Sequence, residues 1–345
     1  MIKKWSGYEK GVNLGGWLSQ CIYTVEHYES FIKKEDFFTI KSWGCDHVRV
    51  PVDYDLFGDK DCNYSEEGFA YIQRAIDWSR EAGLNMILDI HKAYGYSFYK
   101  YDSEDGFFDN EKYWNEFCRT WTELAKRFAK YEDTVAFELL NEVTEQRFSD
   151  SWNRIAGNAI DAIRKVSPTI KILVGGYWNN SAVAMKDLVV PADDENIILN
   201  FHCYSPFIFT HQGANWVNRM PLDFRYGYRN TYEKYEADNL ALFPEQPGAF
   251  SYMPDIKAMI GPEYFDFQFT EAIKCAEKYN LPLYCGEYGV IDLARPEDTL
   301  EWYKDINSCF KKYGIGRAAW SFRERNFGLC GEHYAPVFKE LVKYL

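Results

Sequence analysis

Short runs of apolar and β-branched residues recur along the chain, each followed by a longer stretch with helical spacing. The runs are "GVNLG" (11–15), "DHVRV" (46–50), "NMILDI" (85–90), "VAFELL" (135–140), "IKILVGG" (170–176), "NIILNF" (196–201), "LPLYCG" (281–286) and "IGRAAWSF" (315–322). Near-continuous apolar runs of this length are what strands buried on both faces require. Between them, amphipathic segments predict helices over 65–83, 111–130, 150–166, 264–280, 297–313 and 333–344, the first with Gly83 as a C-cap. Strand and helix alternating around eight strands predicts a parallel (β/α)8 barrel. A doubly wound open sheet is the main competitor, but the turn after the first run, "NLGGWL", lacks the G-x-G-x-x-G of a nucleotide-binding fold.

One gap breaks the rhythm. Almost eighty residues separate "NFHCY" from "LPLYCGEYG", too many for a structureless loop in a compact domain. The stretch 205–262, rich in aromatic residues, is expected to form an inserted subdomain beside the barrel mouth, within a single catalytic domain spanning 1–345. No internal repeat or low-complexity tract is present.

Composition narrows the function. A net charge of -13 argues against the basic face that nucleic-acid binding needs. No apolar run is long enough for a membrane helix. Aromatic residues make up 18% of the chain, and although most serve as core, aromatic faces also suit the flat C–H faces of sugars. The nine cysteines form no C-x-x-C pair, so neither a zinc nor a disulfide framework is expected, and no cofactor is implied. Reduced thiols and a start without an apolar signal core are read as a cytoplasmic protein. The sequons at Asn63 and Asn179 are then chance matches, and no pattern specifies an oligomeric state.

In such a barrel the active site lies at the C-terminal ends of the strands. The strand ends carry Arg49, His91, Asn141 and Glu142, His202 and Tyr204, Glu287, and Trp320. Asn141 and Glu142 directly follow the apolar run 135–140, and a buried carboxylate is costly unless it is paired or given a task. Two glutamates on strands four and seven face each other across a barrel mouth. Such a pair suits glycoside hydrolysis, one acid protonating the leaving oxygen while a carboxylate about 5 Å away attacks the anomeric carbon. A metal site built from Asp89, His91 and His202 is disfavoured, because no H-x-H or H-E-x-x-H spacing supports it.

Seven stretches together resemble glycoside hydrolase family 5: "GVNLGGW" (11–17), "HVRVPVDY" (47–54), "LDIHKAYGY" (88–96), "ELLNE" (138–142), "NFHCYSPFIFTHQ" (200–212), "LYCGEYGV" (283–290) and "AAWSF" (318–322). The chain looks most similar to short bacterial endoglucanases with a subdomain after strand six. The resemblance implies Glu142 as acid/base and Glu287 as nucleophile, with Arg49 and Tyr204 holding Glu287. It further implies Asn141 on the sugar 2-OH, His91 and His202 shaping the cleaved subsite, and Trp320 as its floor. Two positions depart from the family pattern: Lys92 stands where a second histidine is frequent, and Val143 where a proline is frequent. The expected activity is endo-β-1,4-glucanase on β-glucan or cello-oligosaccharides by a retaining double displacement. The rivals are an exo-acting β-glucosidase or β-1,3-glucanase, a β-mannanase, and, from another class, an inactive carbohydrate-binding protein.

Overall fold

The computed structural model describes residues 2–99, 102, 104–245 and 249–345. Eight parallel strands close a barrel in chain order: β1 (Gly11–Asn13), β2 (His47–Asp53), β3 (Asn85–Lys92), β4 (Val135–Glu138), β5 (Ile172–Gly175), β6 (Ile197–Cys203), β7 (Leu283–Tyr288) and β8 (Gly316–Ala319). Each predicted run overlaps one strand; β2, β3, β6 and β7 continue past the end of the run, whereas β1, β4, β5 and β8 stop before it. The residues beyond Asn13, Glu138 and Ala319 leave the sheet and form the barrel mouth.

The period of two along each strand divides the side chains into two sets. On β2, Val48, Val50 and Val52 face the surrounding helices, as do Met86, Leu88 and Ile90 on β3 and Val135 and Phe137 on β4. The opposite faces fill the barrel in layers. At the bottom Trp5, Tyr8, Ile87, Ala136, Leu173, Ile198, Tyr284 and Ala318 form an apolar plug. Two residues further along β3, β4 and β6 the interior turns polar, with Asp89, Glu138 and Asn200 buried, and the side chain of Arg49 from β2 is buried against the first two. The register Asp89↔Glu138 sets two carboxylates side by side at that level.

Outside the barrel, helices Glu66–Ala82, Glu111–Phe128, Ser149–Arg164 and Pro296–Tyr313 follow the predicted segments closely. The first is capped by the Ser65 hydroxyl, which accepts from the Gly68 N–H, and ends at Gly83 in the left-handed conformation. Two expectations need correction. The helix predicted over 264–280 is two helices, Pro262–Gln268 and Thr270–Tyr279, which meet at Phe269. The helix predicted over 333–344 shrinks to Phe338–Leu341 plus a 3-10 turn, Val342–Tyr344, because Pro336 removes a backbone donor and disfavours helix in the residue before it. The alternation is also incomplete, since a 3-10 segment, Ala182–Asp187, fills the place of a helix between β5 and β6. Helices Val25–Ser30 and Lys34–Ser42, between β1 and β2, were not anticipated.

The stretch 205–262 holds helices Phe207–Thr210 and Tyr232–Leu242 and an antiparallel bridge between Thr231 and Met259. Its buried Tyr226, Tyr228, Tyr235 and Phe250 join the same apolar cluster as the barrel's outer layer. Polar ties fix it to helix Pro296–Tyr313: Trp302 Nε1 donates to the Ser205 carbonyl (2.9 Å), and Tyr228 Oη donates to Asp305 (2.9 Å). At its near end Ala214 packs with Ile291, Trp320 and Phe327 beside Tyr204, bringing the insertion to the barrel mouth. Among the described residues no helix is long and apolar enough to cross a membrane.

Candidate active site

Arg49 rises from β2 into the barrel axis and is fully buried, which obliges every donor of its guanidinium to find a partner. Nε and Nη2 bind the two oxygens of Glu138 at 2.7 and 2.8 Å, the bidentate geometry that a planar fork favours. Nη1 donates to Asn13 Oδ1 (3.0 Å) and to Glu287 Oε1 (2.7 Å), and Nη2 also reaches Asn141 Oδ1 (3.0 Å) and Asp89 Oδ2 (3.0 Å). One side chain thereby ties β1, β2, β3, β4 and β7 together beneath the mouth.

Glu287 receives Arg49 on Oε1 and the Tyr204 hydroxyl on Oε2 (2.9 Å). Burial and the facing Glu287 carboxylate hold the Tyr204 phenol well above its usual range, so it acts as a donor. Glu142 lies opposite, just past the end of β4, with a left-handed backbone (φ 33°). Its Oε1 meets His202 Nδ1 (2.9 Å) and its Oε2 accepts from Asn179 Nδ2 (2.9 Å). His202 Nδ1 is also 3.6 Å from Glu287 Oε2. One oxygen of Glu142, one of Glu287 and a ring nitrogen of His202 lie within 4.8 Å of one another.

The surroundings give these groups different protonation behaviour. Burial raises the Glu142 carboxyl above the usual carboxylate range, opposed by the Asn179 amide and by His91 and Arg49. Burial pushes His202 down to about 4 and also lowers His91, so both rings are neutral at neutral pH. Asp89 is pushed up to about 7 by burial, in spite of Arg49. Asp89 Oδ2 meets His91 Nδ1 at 2.6 Å, which orients that ring nearly parallel to Trp320, 4° between planes and 5.7 Å between centroids.

All eight residues singled out at the strand ends, Arg49, His91, Asn141, Glu142, His202, Tyr204, Glu287 and Trp320, thus border one mouth. Asp89 does not join His202 in a metal-ligand set; its bonds go to His91 and Arg49. Four contributors were missed. Glu138 and Asn200 were hidden inside apolar runs, where only the period of two, which places Glu138 on the face of Ala136, could have revealed them. Asn13 had no signal beyond its place in β1, and Asn179 lies on a loop with no strand-end position to mark it. Of the departures from the family pattern, Lys92 pairs with Asp55 (2.8 Å) beside the ring of Tyr23 (5.2 Å), and buried Val143 supplies a carbonyl to the Asn179 N–H (2.9 Å).

Two buried carboxylates facing each other across the mouth of a (β/α)8 barrel, one gripped by an arginine and a tyrosine and the other raised by burial, define a glycoside hydrolase. The chain matches the family model described as cellulase (glycosyl hydrolase family 5) over residues 6–326. It is 42% identical over 311 residues to cellodextrinase A of Ruminococcus flavefaciens, covering 90% of this chain and 84% of the relative. It is 36% identical over 343 residues to endoglucanase C of Acetivibrio thermocellus, covering 98% of each. The protein therefore belongs to glycoside hydrolase family 5. Among solved structures, an endoglucanase from the hyperthermophilic Thermotoga maritima superposes with a TM-score of 0.76 at 24% identity, covering 98% of this chain and 97% of that one, a likeness of fold.

Proposed function

We propose that this enzyme is a retaining β-1,4-glucanase acting on β-glucan chains and cello-oligosaccharides, with Glu287 as nucleophile and Glu142 as acid/base. The observation that carries the reading is the carboxylate pair, with oxygens within 4.8 Å of each other, near the separation of about 5 Å that a double displacement uses. In the first step a Glu287 oxygen bonds to the anomeric carbon as the glycosidic C–O bond breaks and Glu142 gives its proton to the departing oxygen. In the second, water attacks the same carbon, Glu142 takes the water's proton, and the bond to Glu287 breaks.

Each surrounding group fits a part of this scheme. Arg49 and Tyr204 place positive charge and a hydroxyl donor on Glu287, and both stabilise the carboxylate when it departs from the sugar. Asn141 Nδ2 is buried with no hydrogen-bond partner among the described residues, while its Oδ1 is held by Arg49, so the amide is oriented with a donor to spare for the sugar 2-OH. The near-parallel Trp320 and His91 rings supply the flat floor against which a pyranose face packs.

Substrate length is settled by the time course of products from soluble mixed-linkage β-glucan and from cellopentaose. A spread of oligosaccharides before free glucose is expected; glucose alone from the outset would replace the endo reading with an exo one. The Ruminococcus relative is named a cellodextrinase, which favours short soluble chains among the substrates. For the site, Glu287→Gln should reduce kcat by at least about 10³-fold while the unfolding temperature stays close to that of the parent. Turnover within tenfold of the parent would remove Glu287 from its role.

A further inference from the structure

Both oxygens of Glu142 are engaged, and the two contacts differ in kind. The side of Oε1 is set by the tautomer of His202. In the tautomer with the ring proton on Nδ1, Nε2 faces the Asn180 amide at 3.5 Å and the proton points at Glu142 Oε1 and, at 3.6 Å, at Glu287 Oε2. In that tautomer Oε1 accepts from His202, which leaves Oε2 to carry the proton that Glu142 gives away and takes back. Oε2 is the oxygen that meets Asn179.

Asn179 occupies an unusual piece of backbone. Trp178, Asn179 and Asn180 are three consecutive left-handed residues, with φ of 49°, 56° and 55°. Asparagine tolerates that region better than most side chains, and a strained turn of this kind persists where its surroundings fix it. Here the Asn179 N–H donates to the carbonyl of Val143, the residue directly after Glu142 (2.9 Å). Turn and carboxyl are therefore anchored to the same few atoms.

We propose that Asn179 is a positioning residue for the acid/base, holding Glu142 Oε2 at the leaving-group side through both halves of the reaction. The proposal rests on the reading of Glu142 as acid/base. A primary amide is suited to the task because it serves either protonation state. Its Nδ2 donates to the carboxylate, and a half-turn about χ2 presents Oδ1 to accept from the protonated acid. An aspartate there could only accept, and an alanine could do neither.

The test is the pH dependence of kcat/KM on cellotetraose for Asn179→Ala, Asn179→Asp and Asn179→Ser, with circular dichroism as the folding check. Asn179 is exposed to solvent, so the variants should fold. The groups that face Glu142 otherwise stay in place: Arg49 from β2, Asp89 and His91 from β3, Tyr96 from the loop after it, His202 and Tyr204 from β6 and its end, and Glu287 from β7. Removing a donor from the carboxylate form makes the proton harder to lose, so the alkaline limb should move up by about 0.5–1 pH unit in Asn179→Ala and further in Asn179→Asp. Asn179→Ser, which can both donate and accept, should fall between alanine and the parent. At fixed pH, Asn179→Ala should lose about tenfold on cellotetraose but under about threefold on 2,4-dinitrophenyl cellobioside, whose leaving group needs no proton. An unmoved alkaline limb in both the alanine and the aspartate variants would overturn the proposal. Glu142→Gln is run alongside: if it kept the parent's alkaline limb, the acid/base reading itself would fall, whatever the Asn179 variants did.

Discussion

Arg49 brings one positive charge to a site where Asp89, Glu138 and Glu287 all approach within 3.0 Å, an excess of carboxylate that burial makes expensive. Part of the excess is removed by a proton, since Asp89 is pushed up to about 7 and is neutral on the acid side of that value. Arg49→Ala would leave buried carboxylates uncompensated and should lower the unfolding free energy by about 3–5 kcal/mol. Arg49→Lys should retain more of the stability, yet one ammonium cannot reach Asn13, Glu138, Asn141 and Glu287 together, so kcat/KM should still fall by about 10²-fold or more. Urea unfolding and steady-state kinetics on the two variants decide this, and a lysine variant with near-parent activity would show that charge alone suffices. The same arginine explains what could be read from the sequence at this scale. A polar residue that ends an apolar run stands out, as Asn141, Glu142 and Glu287 do, whereas Glu138 has apolar neighbours on both sides and declares itself only once the barrel interior is known to be polar at that height.

At the scale of elements, β7 shows how closely the barrel is built around its chemistry. Gly286 immediately precedes Glu287, and a Cβ there would lie 2.7 Å from Asn200 Oδ1 and 3.0 Å from His202 Nε2. Gly286→Ala should therefore push Asn200 and His202 off their partners, lowering stability by about 1–3 kcal/mol and activity with it. A Cβ added at Gly157, inside helix Ser149–Arg164, would meet nothing within 4 Å among the described residues, so Gly157→Ala should stabilise by about 0.5–1 kcal/mol without altering kcat. Thermal unfolding and kcat of the pair test whether the glycine on the strand is there for space; equal effects of both substitutions would argue that it is not. Strands were legible because a parallel barrel needs both faces apolar, but their ends were not, since Leu139, Leu140 and Trp320 continue the apolar pattern after the ladder has stopped. The helix expected at 333–344 failed for a local reason, Pro336.

Across the whole molecule the aromatic excess proves to be chiefly packing, with Trp17, Trp121, Trp152 and Trp302 fully buried in the layer around the barrel. The same dense interior encloses titratable groups that never reach water. Burial pushes the thiols of Cys45 and Cys203 up to about 12, and holds Cys285, Tyr228, Tyr284 and Tyr303 well above their usual ranges. A group whose folded pKa is raised binds its proton more tightly in the native state. Its contribution to stability is whole below the unfolded pKa and is lost as pH rises from there through the folded value. For thiols the loss starts near pH 8.5 and for tyrosines near pH 10, each unit of pH costing up to about 1.4 kcal/mol per group. Cys45 and Cys203 alone should then remove about 7 kcal/mol by pH 11, an amount comparable with the whole stability of an ordinary domain. The unfolding temperature should accordingly change little between pH 7 and 8 and drop steeply from pH 9 upward, and Cys45→Ala combined with Cys203→Ala should flatten that descent by close to two protons per molecule unfolded. A parent protein whose unfolding temperature held steady to pH 11 would mean that these thiols ionise as readily folded as unfolded, and would overturn this account.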